Sequence, residues 1–363
     1  MIGERIKFAR KETGMTQEEL SAKLGFKDRQ ILANIEGGKR RLAAEELMKL
    51  MEVFSKPMDF FTDPLLLVGE GAVSWRAQNV PKLLTEFEAK VRPIVALYRI
   101  LGPKEGEPET ALVSQLPLTP KSTFEEASLA AARLVADWSL APVPTRTMRE
   151  VAEEKLPLLV LMMDMPPEIS GAAIHLTAVD TILINRNEPE GRRNYDFAHE
   201  LFHLLTWQSM PPAPVDEQPA KGTKAKRVEQ LAESFGATFL MPEPTVKKAW
   251  ELRAGKEIHT WLNETAQFFG VSAKALYWRL RNLELLSEGD ALTVQQERLT
   301  WNGAEGPRAK KPKLYSRPFM ERLHRGLDQG YVSVRKAASL LETTVYGLRL
   351  LFEENGLEVP FDL

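Results

Sequence analysis

The sequence predicts a multidomain, mainly α-helical protein with an all-α unit at its start and one small α+β unit further along. Three observations predict it. The 363 residues exceed what one ordinary hydrophobic core accommodates. Apolar residues recur at helical spacing through most of the chain. Between residues 158 and 185 that period gives way to three short apolar runs bounded by Pro, Gly, Ser and Asp, as strands are.

Residues 1–62 read as five short helices. Residues 2–12 carry apolar Ile6 and Ala9 on one side, and Gly14 ends that helix. Thr16 caps a second helix, with Glu19 as its capping-box partner and Gly25 as its stop. Asp28 caps a third over 29–36, closed by Gly37 and Gly38. Residues 43–54 repeat Leu47, Leu50 and Phe54 at helical spacing, and Pro57 opens a last short turn. An amphipathic helix is expected at 81–101, followed by a Pro- and Gly-containing stretch at 102–120. Thr123 with Glu125 and Glu126 starts a helix to Trp138, and Thr145 caps another to Lys155. Strands follow at 158–163, 172–177 and 181–185, then a helix at 193–207, which together make the α+β unit. Residues 210–222 read as an exposed loop and 226–240 as a helix, with further helices to about Leu286. A basic stretch at 302–318 leads to a helical tail over 319–355. The resulting division is 1–62, a helical connector at 63–122, the α+β unit with a helical extension at 123–298, a linker at 299–318 and a C-terminal helical segment at 319–363.

Composition narrows the function. No apolar run of about 18 residues occurs, so no membrane partner is expected. The charged start predicts no signal peptide. The absence of cysteine excludes disulfides and any cysteine–zinc site. A net charge of -2 argues against broad adhesion to nucleic acid, so any DNA contact is local.

Residues 199–203 read His-Glu-Leu-Phe-His. On a helix, positions i and i+4 share a face, so His199 and His203 can reach one ion. Glu200 beside them is placed to take a proton from a metal-bound water. Hydrolytic zinc needs three protein ligands and one open position. With no cysteine, the third ligand is a carboxylate or another His, and Glu229 on the next helix is the best candidate. Glu233, one turn later, is placed to accept a proton from the far ring nitrogen of a metal-bound His. His175, His259 and His324 read as sheet, packing or surface residues.

The stretch Phe197-Ala198-His199-Glu200-Leu201-Phe202-His203, with Glu229, Ala232, Phe235 and the run Phe239-Leu240-Met241-Pro242, resembles the ImmA/IrrE family of metallopeptidases over roughly 125–286. The resemblance implies a minimal zincin-like fold and a gluzincin-like zinc site. Glu200 would be the general base and Glu229 the carboxylate ligand, with manganese as an alternative activating metal. Family members cleave a repressor protein at a specific bond in stress responses or mobile-element control. Two positions depart from the family: Phe202, where Gly is usual, and Glu233, where Asn or Asp is common. The Phe202 ring either narrows the cleft or packs inward.

Residues 2–61 resemble the Xre/Cro-type helix-turn-helix family through Gly14-Met15-Thr16-Gln17-Glu18-Glu19-Leu20 and Ile35-Glu36-Gly37-Gly38-Lys39-Arg40. In such a unit the third helix enters the major groove. Gln17 can reach a phosphate, and Arg29, Gln30 and Asn34 are the candidate base readers. Lys39 and Arg40 are candidate phosphate anchors. The turn before the third helix is one residue longer than usual, so that helix could start one position later than residue 29.

The expected protein is therefore a bacterial cytoplasmic regulator. Its partners are a double-stranded DNA operator and a repressor-type substrate, a partner or the chain itself, with a homodimer as a further candidate. Two alternatives stand beside it: a non-proteolytic transcription factor whose zincin-like unit senses metal or ligand, and an antitoxin-like module acting by protein contact. The substrate's edge strand is expected at 181–185, with the 210–222 loop as a gate.

Overall fold

The computed structural model describes residues 2–69, 71–77, 80–102, 116–176, 179–215, 223–301 and 311–362. Parts of the expected stretches at 102–120, 172–177, 210–222 and 302–318 lie outside the described residues. The first five helices are α1 (Ile2–Glu12), α2 (Gln17–Leu24), α3 (Arg29–Glu36), α4 (Ala44–Phe54) and α5 (Met58–Thr62). Local chemistry sets their ends. Thr16 Oγ1 accepts from Glu19 N at 3.2 Å, while the Glu19 carboxylate accepts from Thr16 N at 2.7 Å. Asp28 accepts from Gln30 N at 2.9 Å, so α3 starts at Arg29 in spite of the longer turn. The core of this unit is Ile6, Leu20, Leu32, Ile35, Leu50 and Phe61. The α1–α3 approach requires Gly3, because a Cβ there would lie 2.2 Å from the Ile35 carbonyl oxygen.

Beyond it come β1 (Ala72–Ala77), α6 (Pro81–Leu101), α7 (Phe124–Asp137), α8 (Met148–Lys155), β2 (Leu158–Met163), β3 (Ile169–His175) and β4 (Asp180–Asn185). Then follow α9 (Glu190–Thr206), α10 (Lys224–Leu240), α11 (Glu243–Glu251), α12 (Ile258–Phe269), α13 (Ala273–Asn282), α14 (Glu288–Thr293), α15 (Arg317–Asp328), α16 (Val334–Leu340) and α17 (Val345–Glu354). Among the described residues no helix is long and apolar enough to cross a membrane.

The four strands form one sheet in the order β1-β3-β4-β2, antiparallel except for the parallel β4–β2 pair. Alternate side chains feed two different cores. Leu158, Val160, Ala173, Ile182 and Ile184 face a layer that includes α7, α9 and α10. Leu159, Leu161, Ala172, Ile174 and Leu183 face α6 and α15 to α17. Burial on both faces is why these strands read as continuous apolar runs rather than as alternation.

Two expectations are corrected. The 63–122 connector is not helical only: it supplies β1, which extends the sheet beside β3. The strand at 181–185 is not an edge. β4 is paired on both sides and all six of its residues are buried, so it has no free ladder for a substrate. The edges are β1 and β2, and β1 is itself bridged at Trp75, whose N donates to Pro214 O at 2.9 Å. Hydrophobic residues on both faces of residues 181–185 carry no information about lateral neighbours, and chain order does not give sheet order.

The helix–sheet seam holds a buried acid. Glu153 Oε1 accepts from Val160 N at 3.0 Å and from Ser316 Oγ at 2.8 Å, joining α8, β2 and the cap of α15. Burial pushes its carboxyl up to about 8, against the two hydrogen bonds that favour the charged form. A carboxyl raised on folding lends stability that is complete below about 4.5 and lost as pH rises through about 8. The wild-type protein should therefore lose stability between those values by an amount that Glu153→Gln, which keeps an acceptor for both donors, does not lose. The difference should be on the order of 3 kcal/mol and is read from urea melts of the two proteins at pH 5 and pH 8.5.

Candidate metal centre

The site is built on α9, which lies between the sheet and α10. Phe197, Ala198, Leu201, Phe202, Leu204 and Leu205 bury it on nearly every side. One polar stripe remains on this buried helix: Asp196, His199, Glu200 and His203, each at most 3 % exposed. The two imidazoles stand one turn apart with their Nε2 atoms 3.0 Å from each other. Thr223 caps α10 by accepting from Lys226 N at 3.2 Å, and the first turns of α10 carry Glu229 to the pair. Its Oε2 lies 3.0 Å from His199 Nε2 and its Oε1 3.5 Å from His203 Nε2.

The donor set fits a metal ion. Around a tetrahedral ion bound at about 2.0–2.1 Å, ligand atoms stand roughly 3.3 Å apart, the range these three separations occupy. Two imidazole nitrogens facing at 3.0 Å repel unless a proton or a cation lies between them. Burial, and then the charge of Arg76, pushes the His199 imidazolium down to about 3, leaving the neutral ring a ligand must be. Burial disfavours the Glu229 carboxylate, but its contacts with both imidazoles outweigh that and hold it ionised. His199, His203 and Glu229 are the three residues that could hold the ion among those described.

Glu200 points into the same interior and is 2 % exposed. Burial pushes its carboxyl up to about 7; His203 and Arg76 oppose the shift, and Asp196 and Glu229 add to it. An acid poised near neutrality is suited to passing a proton in either direction. The Phe202 ring is fully buried and packs 5.5 Å from the Phe235 ring, so it fills the core and does not narrow the cleft. Glu233 does not take the place expected of it. Among the described residues His199 Nδ1 has no hydrogen-bond partner, and Glu233 instead stands half-buried on the wall of a cavity.

The motif left two neighbours unmentioned. The Tyr195 ring is 5.9 Å from that of His199, and the i−4 spacing in the sequence could have found it. Arg76 could not have been found that way. It reaches the site from β1, with its Nε 3.3 Å from Asp196 Oδ1 and its guanidinium carbon 5.0 Å from the centroid of the Tyr195 ring. Asp196 is also 3.2 Å from Arg192 Nε, and burial still pushes its carboxyl up to about 7. The other histidines are occupied elsewhere. His175 Nδ1 pairs with Asp180 at 2.8 Å, His259 Nε2 accepts from Gln295 N at 2.9 Å, and His324 packs edge-on to Phe352.

In the N-terminal unit, Arg29, Gln30, Lys39 and Arg40 are exposed and Asn34 half-buried. Gln30 Nε2 donates to Asn34 Oδ1 at 3.3 Å. Arg40 forms a bidentate pair with Glu46 at 2.8 and 3.0 Å, which competes with a phosphate contact. Gln17 departs from its expected role. Its amide donates to Glu36 Oε2 at 2.8 Å and so joins the buried Arg10–Glu36 pair that ties α1 to α3.

Two family models match parts of the chain. Residues 153–281 match the family model of the IrrE N-terminal-like domain, a peptidase model, and residues 6–61 match the helix-turn-helix model. The chain therefore joins a helix-turn-helix domain to an IrrE-like peptidase domain. No curated protein and no solved structure matches it.

The donor geometry gives a direct expectation. His203→Ala should lower bound metal from about one ion per chain to near zero by elemental analysis, whereas Glu200→Gln should keep it. Full occupancy in the His203 variant would mean a different ligand set.

Proposed function

We propose that this chain is a regulator that binds double-stranded DNA through α2 and α3 and hydrolyses one peptide bond in a repressor-type protein, with zinc held by His199, His203 and Glu229. The observation that carries it is the convergence of these three donors beside the buried Glu200. A mere structural metal site would not require that acid. Bound zinc supplies a Lewis acid and water whose pKa is lowered toward neutrality. Manganese is the alternative metal.

The protein's own groups carry the rest. Glu200 receives the proton of the attacking water and returns it to the leaving amine, which its near-neutral titration suits. The Tyr195 ring beside His199 and the Arg76 guanidinium over that ring are the groups that would stabilise negative charge developing on the carbonyl oxygen. Asp196 holds Arg76 in that position. The apolar packing of α9 keeps bulk water away from the back of the site.

Two measurements test the two halves. Wild-type protein and Glu200→Gln, both loaded with zinc or manganese, should be compared on candidate repressors and on casein. One cut in a cognate repressor, little digestion of casein and a loss of at least about 100-fold in the Gln variant are expected. Equal action of both proteins would replace the peptidase with a metal or ligand sensor. For DNA, Gln30→Ala or Asn34→Ala should relax sequence preference by about 1–3 kcal/mol, while Lys39→Ala weakens all sequences alike and lowers the salt slope by about 1. Binding that is equal for every sequence would end the operator reading.

A further inference from the structure

A cavity of about 1910 Å³ runs along α7, α10 and α13, and of its lining only Tyr195 has a part in the chemistry described so far. Its lining includes Tyr195 and Glu233, each one helical turn from a candidate ligand residue, His199 and Glu229 respectively. Its lining is largely apolar, and Phe124, Leu129 and Trp278 stand 41, 51 and 56 % exposed along it. Small-molecule sites occupy about 300–1,000 Å³. The larger volume, and the place of Tyr195 and Glu233 in the lining one turn from His199 and Glu229, suit a length of polypeptide.

On α13 the lining includes Arg279, which is only 6 % exposed. Its Nε donates to Met241 O at 3.2 Å, and among the described residues this is the guanidinium's only hydrogen bond. Among the described residues no carboxylate forms an ion pair with it. Glu243, the acid whose charge acts on it, is held by Lys247 at 2.6 Å. A buried cation without an anion is costly, and a guanidinium fork is matched by a carboxylate. The fold thus carries a buried positive group on the groove wall with one hydrogen bond to a neutral carbonyl, and the charge that acts on it from Glu243 is shared with Lys247. Met241 follows Glu229 by twelve residues at the end of α10. That is about 18 Å of helix, a span an extended chain covers in about five residues.

We propose that Arg279 determines substrate choice at the metal centre: it receives the side-chain carboxylate of an Asp or Glu in an extended segment laid in this groove, about five residues to one side of the bond that is cut. This rests on the peptidase reading of the site, yet binding can be measured without hydrolysis. The probe is a random dodecapeptide library, acetylated and amidated so that no terminal carboxylate is present. It is selected on zinc-loaded full-length Glu200→Gln protein. The bound pool should be enriched several-fold in Asp or Glu at one position flanked by apolar residues.

Arg279→Met in the same background should abolish that enrichment, and Arg279→Lys should keep part of it. Thermal melts show whether each variant is folded. Should the Met variant fail to fold, Ala132→Trp, on an exposed position of the groove wall, takes its place and should reduce recovery of every peptide. A pool without an acidic position, an acidic preference that survives in folded Arg279→Met, or recovery undiminished by Ala132→Trp each overturns the proposal. Incubating the selected peptides with wild-type protein separates the two readings. Acidic peptides that bind but are never cut count against the peptidase and leave Arg279 standing. Peptides that are cut with no acidic preference do the reverse.

Discussion

Four ionisable side chains on one buried helix are the constraint around which the α+β unit is arranged. Asp196, His199, Glu200 and His203 lie within two turns of α9, and α9 is packed between a sheet and α10. Taken alone, such a stripe in an apolar interior would be strongly destabilising. Each member is therefore met by a partner from another element or by a shift toward its neutral form. Glu229 reaches the two imidazoles from α10, and Arg76 from β1 and Arg192 from α9 reach Asp196. Among the described residues Glu200 has no such cation in hydrogen-bond contact, and burial instead pushes its carboxyl up to about 7. The positions of α10 and β1 against α9 are thus also the positions that satisfy its charges.

The sheet extends this dependence to segments distant in sequence. Because its strands send alternate residues into two cores, it must be covered on both faces. One cover is the layer that carries the candidate ligand residues His199, His203 and Glu229. The other is α6 together with α15 to α17, more than two hundred residues apart in the chain. The strand that links the N-terminal unit to α6 is the one that brings Arg76 to the site. The path from the helix-turn-helix domain to the peptidase-like domain thus passes through the candidate site itself.

In the N-terminal unit a comparable interior charge pair sets geometry. Glu36 at the end of α3 accepts from Arg10 at 2.7 and 3.0 Å and from Gln17 at 2.8 Å. The three residues fix α3 against α1 and α2 while leaving Arg29 and Gln30 on the open side. Gln17 had the surface chemistry of a phosphate contact, but its distance to Glu36 depends on how two helices cross, which spacing along one helix does not reveal.

The sequence by itself determined what is local. Caps such as Thr16, Asp28 and Thr123, stops such as Gly25, and the periods of the apolar residues fixed the helices of the N-terminal unit and α7, because each acts within one or two turns of its own backbone. It also determined the His199–Glu200–His203 stripe, since the i, i+4 relation follows from helix geometry alone. Tertiary structure decided the rest: that β4 lies inside the sheet, that Phe202 turns into the core, that Glu233 faces a groove, that Arg76 reaches α9 from β1 and that Arg279 lines the groove. Those are facts about which surfaces meet after folding. They depend on long-range packing and on the need to satisfy buried charge, and neither leaves a period or a spacing in the chain.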